Sequence, residues 1–277
     1  MNKAVTIILI IFLCLIAIGL GLFVFFFSLG KIQFNDNWFN IFNRESTTLV
    51  DSKEYNEIND IYIKSNTADI YIKYSENKKY KVELYSDSVK NESISLSDKD
   101  LKVELEENNH FIFLGKQPRI ILYVPSDFNN KFDITTTTGD INSEAYNDAT
   151  FKVAVTTGDV EIDKADVLDI VTKTGDIKNN KVNTVKAVCT TGNMRFGDIN
   201  KSLDLKTTTG DIRIDTIDLK ESGNIQTTTG DVRISNKNEV YVEAESKTGD
   251  IKINNNADRF TELSLHIKVT TGDIKVG

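Results

Sequence analysis

The side chains with most chemistry to offer recur in one phrase. Thr-Gly-Asp, or a near copy, is repeated with its Gly at positions 139, 158, 175, 192, 210, 230, 249 and 272 (Gly139, Gly158, Gly175, Gly192, Gly210, Gly230, Gly249, Gly272). Asp follows the Gly in seven of the eight copies, and Asn193 is the exception. Three residues after the Gly stand Asn142, Glu161, Lys178, Arg195, Arg213, Arg233, Lys252 and Lys275. Recurrent carboxylates could serve acid–base catalysis or ligate a hard cation. Recurrent cations could hold an anionic polymer or lipid headgroups.

Catalysis fits the pattern poorly. It needs carboxylates in unlike environments, or a base beside a cation, and a uniform column is what a building unit produces. The one irregular copy, "CTTGNMRFGD" (189–198), contains no acid–base pair. Calcium-binding β-rolls use a nine-residue, doubly glycine-marked repeat that is absent here. One carboxylate per copy beside a basic row is a poor cation cage. His110 and His266 are far apart and belong to no metal-type cluster. No Gly-rich turn with Lys-Ser or Lys-Thr is present to cradle a phosphate. The two cysteines, Cys14 and Cys189, are placed too differently to staple the fold, and Leu13 before Cys14 does not suit a lipoprotein cysteine. The chain is therefore expected not to be an enzyme and to need no cofactor or metal. What remains is the basic row Lys178, Arg195, Arg213, Arg233, Lys252, Lys275 as a contact for an anionic polymer. The competing expectation is that the Asp row beside it simply neutralises it.

The elements that carry these rows follow from alignment on the Gly. Five residues before it stand Ile134, Val153, Ile170, Ala187, Leu205, Ile225, Ala244 and Ile267, and two after it Ile141, Val160, Ile177, Met194, Ile212, Val232, Ile251 and Ile274. Such alternation marks strands with one buried face. Inward residues sit at odd offsets before the Gly and at even offsets after it. A continuous strand cannot change parity, so the Gly-Asp step is a corner, a bulge or a turn. The spacings of 19, 17, 17, 18, 20, 19 and 23 residues indicate a repeat architecture. Two all-β folds satisfy this: a β-solenoid with coils of about 17–23 residues, and an antiparallel β-meander with Gly-Asp as its hairpin turn. The solenoid is preferred on two grounds. The earlier copy "IYIKSNTADIYI" (61–72) has Ala68 in the Gly position, which a II′ turn would penalise. Six residues before the Gly, the signs alternate as Asp133, Lys152, Asp169, Lys186, Asp204, which pairs opposite charges if coils stack. The Thr preceding each Gly is expected to stack and exchange hydroxyl hydrogen bonds. The Asp is expected to bond its own backbone two residues on.

Residues 74–130 are less regular and are expected to cover the first coil, as solenoid ends must be covered. Gly277 follows the last copy directly, with no capping segment, so that copy is expected to form an exposed edge or a pairing surface at the end of the stack. At the other end, residues 4–29 run 26 positions without a charge, enough to cross a bilayer. The reading is a transmembrane anchor over 1–30, a juxtamembrane linker over 31–57 and a solenoid over 58–277, irregular to 130 and regular from 131. Phe34, Trp38, Phe39 and Phe42 suit either a membrane interface or a plain stalk. The flanking Lys and Arg bias is weak, and the orientation favoured places the domain outside. A formal charge of −8, from 33 basic and 41 acidic residues, argues against a nucleic-acid partner.

"NTADIYI" (66–72), "RIILYVPSDF" (119–128) and the run of "TTGDI" units together resemble a bacterial family of adhesin-like domains of unknown function, found in LiaG-like envelope proteins. The resemblance covers about residues 58–277. It implies an extracytoplasmic β-solenoid on a membrane anchor, at the cell membrane, and it transfers no catalytic residue. The function expected is a non-enzymatic envelope binding or adhesin-like module, whose partner is an envelope glycopolymer. The alternative is a structural or sensory accessory of an envelope stress response that meets a membrane sensor protein. A polysaccharide-active enzyme ranks last.

Overall fold

The computed structural model describes residues 48–107, 117–254 and 257–277, all within the unit Glu45–Gly277. The anchor, residues 31–47 of the linker, Cys14 and His110 lie outside the described residues. Among the described residues no helix is long and apolar enough to cross a membrane.

The described chain is all β. Its strands are β1 (Leu49–Tyr55), β2 (Ile61–Ser65), β3 (Asp69–Tyr74), β4 (Tyr80–Tyr85), β5 (Val89–Ser97), β6 (Asp100–Glu107) and β7 (Arg119–Val124), followed by β8 (Lys131–Thr138), β9 (Ile141–Ser143), β10 (Thr150–Thr157), β11 (Val160–Thr174), β12 (Ile177–Thr191) and β13 (Met194–Thr209). The remainder are β14 (Ile212–Ile217), β15 (Gly223–Thr229), β16 (Val232–Lys237), β17 (Tyr241–Thr248), β18 (Ile251–Ile253), β19 (Ser264–Thr271) and β20 (Ile274–Val276). β1 falls within the stretch expected as linker.

Equivalent strands of successive repeats pair in parallel and in register, with Val153 beside Ile134 and Ile170, and Thr209 beside Thr229. The molecule is therefore a β-solenoid, and parallel neighbours exclude the meander. From β8/β9 onward each layer is a strand, a corner at Gly-Asp (Gly-Asn at 192–193) and a second strand. In β11, β12 and β13 the second strand bends on into the first strand of the next layer.

Inward columns form the core. Phe132, Phe151, Leu168, Val185 and Leu203 stack seven residues before the Gly and are buried. Gly223 occupies that column where Leu203 and Leu265 close over it, each 3.1 Å from where a Cβ would lie. Burial of each aliphatic side chain is worth about 1.5–3 kcal/mol. An aromatic cluster fills the broad N-terminal end, with Phe132 stacked on Phe151 at 4.5 Å and Phe128 at 4.7 Å from Phe132. The buried Tyr146 donates its hydroxyl towards Lys73 O (3.1 Å) and Val124 O (3.3 Å).

Stack order departs from chain order at both ends. From the N-terminal end the layers run β6/β7, β2/β3, β8/β9, then β10 onward through β15/β16. They finish with β19/β20 and, outermost, β17/β18. The expectation that the last copy forms the terminal edge is thus corrected. Its strands slide between β15/β16 and the penultimate copy, which takes the edge. The loop joining the two copies, at the longest of the repeat spacings, allows this. At the opposite end β5 and β4 pair antiparallel with β6 and β7, and β1 pairs antiparallel with β4, which closes that face as expected.

Candidate functional site: the outward ladders of the glycine corner

The corner has two requirements that only Gly meets. All eight repeat glycines have φ between +136° and +152°, a region essentially closed to other residues. A Cβ on Gly210 would also lie 2.0 Å from the carbonyl oxygen of Gly192 in the layer below. Ala68 is tolerated because its corner differs: it is absent from the positive-φ residues, and its N–H is held by Ser65 Oγ at 3.0 Å. The regular corner of the solenoid would penalise Ala as a II′ turn does, so Ala68 does not by itself separate the two folds.

The Asp column does not cap its own turn. Below the outermost layer, each carboxylate reaches across the stack and accepts the backbone N–H of the equivalent residue in the next layer. Asp159 N donates to Asp140 Oδ1 (2.8 Å), Asp176 N to Asp159 Oδ1 (2.7 Å), Asp231 N to Asp211 Oδ1 (2.9 Å) and Asp273 N to Asp231 Oδ1 (2.9 Å). Asn193 fits because only the acceptor matters: Asp211 N donates to Asn193 Oδ1 at 2.9 Å. The ladder starts at Asp69, which receives Asp140 N at 2.9 Å and Gln117 Nε2 at 3.3 Å. Burial pushes the Asp69 carboxyl up, against the lowering effect of the Asp140 amide.

Hydroxyl bonding also sits in another column than expected. Among the described residues the side chains that bond the corner lie three residues before the Gly and face inward. Thr207 Oγ1 donates to Gly192 O (3.5 Å), Thr227 Oγ1 to Gly210 O (3.4 Å), Ser246 Oγ to Gly272 O (3.0 Å) and Cys189 Sγ to Gly175 O (3.5 Å). The sequence signal was present, since Thr, Ser and Cys occupy inward positions that elsewhere in the repeat hold aliphatics.

The basic row is brought together as one ladder. Register places Lys178 beside Arg195, then Arg213, Arg233, Lys275 and Lys252. Successive strands lie about 4.8 Å apart, so six cations line one exposed stripe. The Asp row and other nearby carboxylates neutralise only part of it. Arg233 pairs with Asp231 at 2.8 Å and Arg213 with Asp215 at 3.7 Å, and Lys178 pairs with Glu161. Arg195, Lys275 and Lys252 have no ion pair among the described residues. The Asp carboxylates are shared with the amide ladder, which limits their turn toward the cations.

One constellation was not anticipated. Ser264 Oγ lies 3.2 Å from His266 Nε2, and His266 Nδ1 lies 2.8 Å from Glu243 Oε2. The connectivity is that of a catalytic triad. The surroundings are not: His266 and Glu243 are exposed on a flat strand face, and Ser264 N, a natural oxyanion donor, is given to Ser222 Oγ at 3.2 Å. Without a preorganised oxyanion hole the nucleophile has little to stabilise its transition state. The trio serves as a polar rung between layers. Among the described residues no His/Cys/Asp/Glu group could hold a metal ion.

A family model described as Toastrack DUF4097 matches residues 58–277. No curated protein matches the chain. A Parabacteroides distasonis ATCC 8503 structure, provisionally named a lipid binding protein, is similar at a TM-score of 0.52 and 11% identity, over 85% of this chain and 100% of that one. A Bacteroides fragilis NCTC 9343 structure, provisionally named an adhesin, is similar at a TM-score of 0.41 and 14% identity, over 84% and 99% of the two chains.

Proposed function

The chain belongs to the Toastrack DUF4097 family, and on that premise we propose that it is a membrane-anchored, extracytoplasmic module of the cell envelope that binds an anionic polymer without catalysis. The observation that supports this is the ladder Lys178, Arg195, Arg213, Arg233, Lys275, Lys252, in register and exposed, with three of its cations free of ion pairs among the described residues. A linear polyanion laid along the stack meets one cation per layer. Single exposed charges contribute about 0–1 kcal/mol, and several acting on one chain add through effective concentration. Such binding weakens as salt screens it.

The test reverses two of the free cations. Arg195→Glu with Lys275→Glu is expected to cut retention of the protein on teichoic-acid-rich cell wall by at least about tenfold, a loss of ~1.4 kcal/mol. Thermal stability should hardly change, because both side chains are exposed. Undiminished retention would remove the polymer from the proposal. Placement is tested in the same cells: once the wall is stripped, added protease should digest the domain without lysis, and resistance until lysis would end the envelope assignment.

A further inference from the structure

The two ends of the stack are finished differently. At the N-terminal end β5 and β4 already pair with the outermost strands β6 and β7. At the other end β17 and β18 have one neighbour each, β19 and β20. Throughout the stack the Gly N–H and the second N–H beyond it donate to the next layer, as Gly272 N does to Thr248 O (2.9 Å) and Ile274 N to Asp250 O (2.9 Å). Gly249 N and Ile251 N hold that position in the last layer and have no backbone acceptor among the described residues. The side chains are unfinished as well. Ile251 is 44% exposed, and Ala244 and Ile253 are only half-buried, whereas Ile274, Ile267 and Val276 beneath them are buried.

We propose that this layer is completed by the same layer of a second copy, packed head to head about a twofold axis at the Thr248–Gly249 bond. β17 of each copy then runs antiparallel to β18 of the other. A head-to-tail arrangement would set this layer against β5 and β1, antiparallel strands that carry no Gly-Asp corner to match it. The register follows from the corner. Inward residues occupy odd offsets before Gly249 and even offsets after it, so joining inward to inward fixes the twofold between residues rather than on one. At Thr248–Gly249 the outward pairs are Lys247 with Asp250 and Glu245 with Lys252, and the inward pairs are Ser246 with Ile251 and Ala244 with Ile253. Both outward pairs are of opposite sign, and each occurs twice by symmetry. A slip of two residues one way sets Lys247 against Lys252, and the other way sets Glu245 against Asp250. Like charges directly opposite are unfavourable, so the surface selects a single register. The pairing satisfies the free amides and covers Ile251.

The experiment measures the mass of the full chain in detergent by light scattering across a concentration series. The wild type is expected to dimerise. Lys252→Glu sets Glu against Glu245 twice per dimer and is expected to raise the dissociation constant at least about tenfold. Within its own chain the new Glu lies beside Lys275, so the fold is kept, as an unchanged thermal melt will show. Adding Glu245→Lys to Lys252→Glu exchanges the pair and is expected to restore the dimer. Three results overturn the proposal: a monomer at every concentration, a dimer indifferent to Lys252→Glu, and a double variant that stays dissociated.

Discussion

Asp69 carries the foot of the carboxylate ladder and is the carboxyl whose environment differs. Burial favours its neutral form and raises its folded pKa above the unfolded value. The sign follows from linkage: where the folded state binds the proton more tightly, stability falls as pH rises from the unfolded pKa through the folded one. The wild type therefore bears a penalty at neutral pH that disappears in acid. Asp69→Asn removes the charge and keeps the oxygen that accepts Asp140 N and Gln117 Nε2. It is expected to raise the urea midpoint at pH 7, and the gain should vanish as pH falls to about 4, the ordinary carboxylate range. A gain of equal size at both pH values would show that packing, not ionisation, is responsible. The column of Thr-Gly-Asp was legible as corner chemistry because its recurrence and the parity change demand a backbone event at the Gly. What each member does was not legible. Asp bonding to its own turn and Asp bonding to the layer above use the same residue type, and only stacked coordinates separate them.

The elements follow the alternation closely, since period-two burial is a local property that sequence displays. Their order in the stack does not follow from it. Every copy presents nearly the same edge, so any copy can lie on any other, and loop lengths decide. The copy ending at Thr271 is placed between those ending at Thr229 and Thr248, and cysteine pairs test that placement. Thr229→Cys with Thr271→Cys should join readily on oxidation, because adjacent strands lie about 4.8 Å apart. Thr229→Cys with Thr248→Cys should not, because the β19/β20 layer lies between them and bridged Cα atoms lie within about 7 Å. Efficient joining of the second pair would mean that the layers follow chain order and that the inversion is wrong. At the N-terminal end, β6/β7 outside β2/β3 was equally hidden, because "LKVELEE" and "RIILYVP" lack the Thr-Gly-Asp phrase that marks a layer.

At the scale of the molecule the two inversions bear on how the stack comes apart. A solenoid whose layers touch only their neighbours tends to fray from its ends. Here the first layer of the chain, β2/β3, is held between β6/β7 and β8/β9, and the last, β19/β20, between β15/β16 and β17/β18. Each end of the repeat run must break ladders on both sides to leave. The outermost layers are joined by loops to the layers beneath them, so peeling them strains a chain still bound inside. Residues 45–277 are therefore expected to unfold as one cooperative unit. Cys189 reports from the middle of the stack: it is buried, and burial pushes its thiol pKa up, so it reacts slowly while folded. With Cys14→Ser in place, brief thiol labelling across a urea series should give the same midpoint as the loss of β-sheet circular dichroism. Coincident transitions are the mark of all-or-none unfolding. If sheet signal is lost at lower urea than Cys189 becomes reactive, the ends fray in the ordinary way and the tucked layers confer no cooperativity.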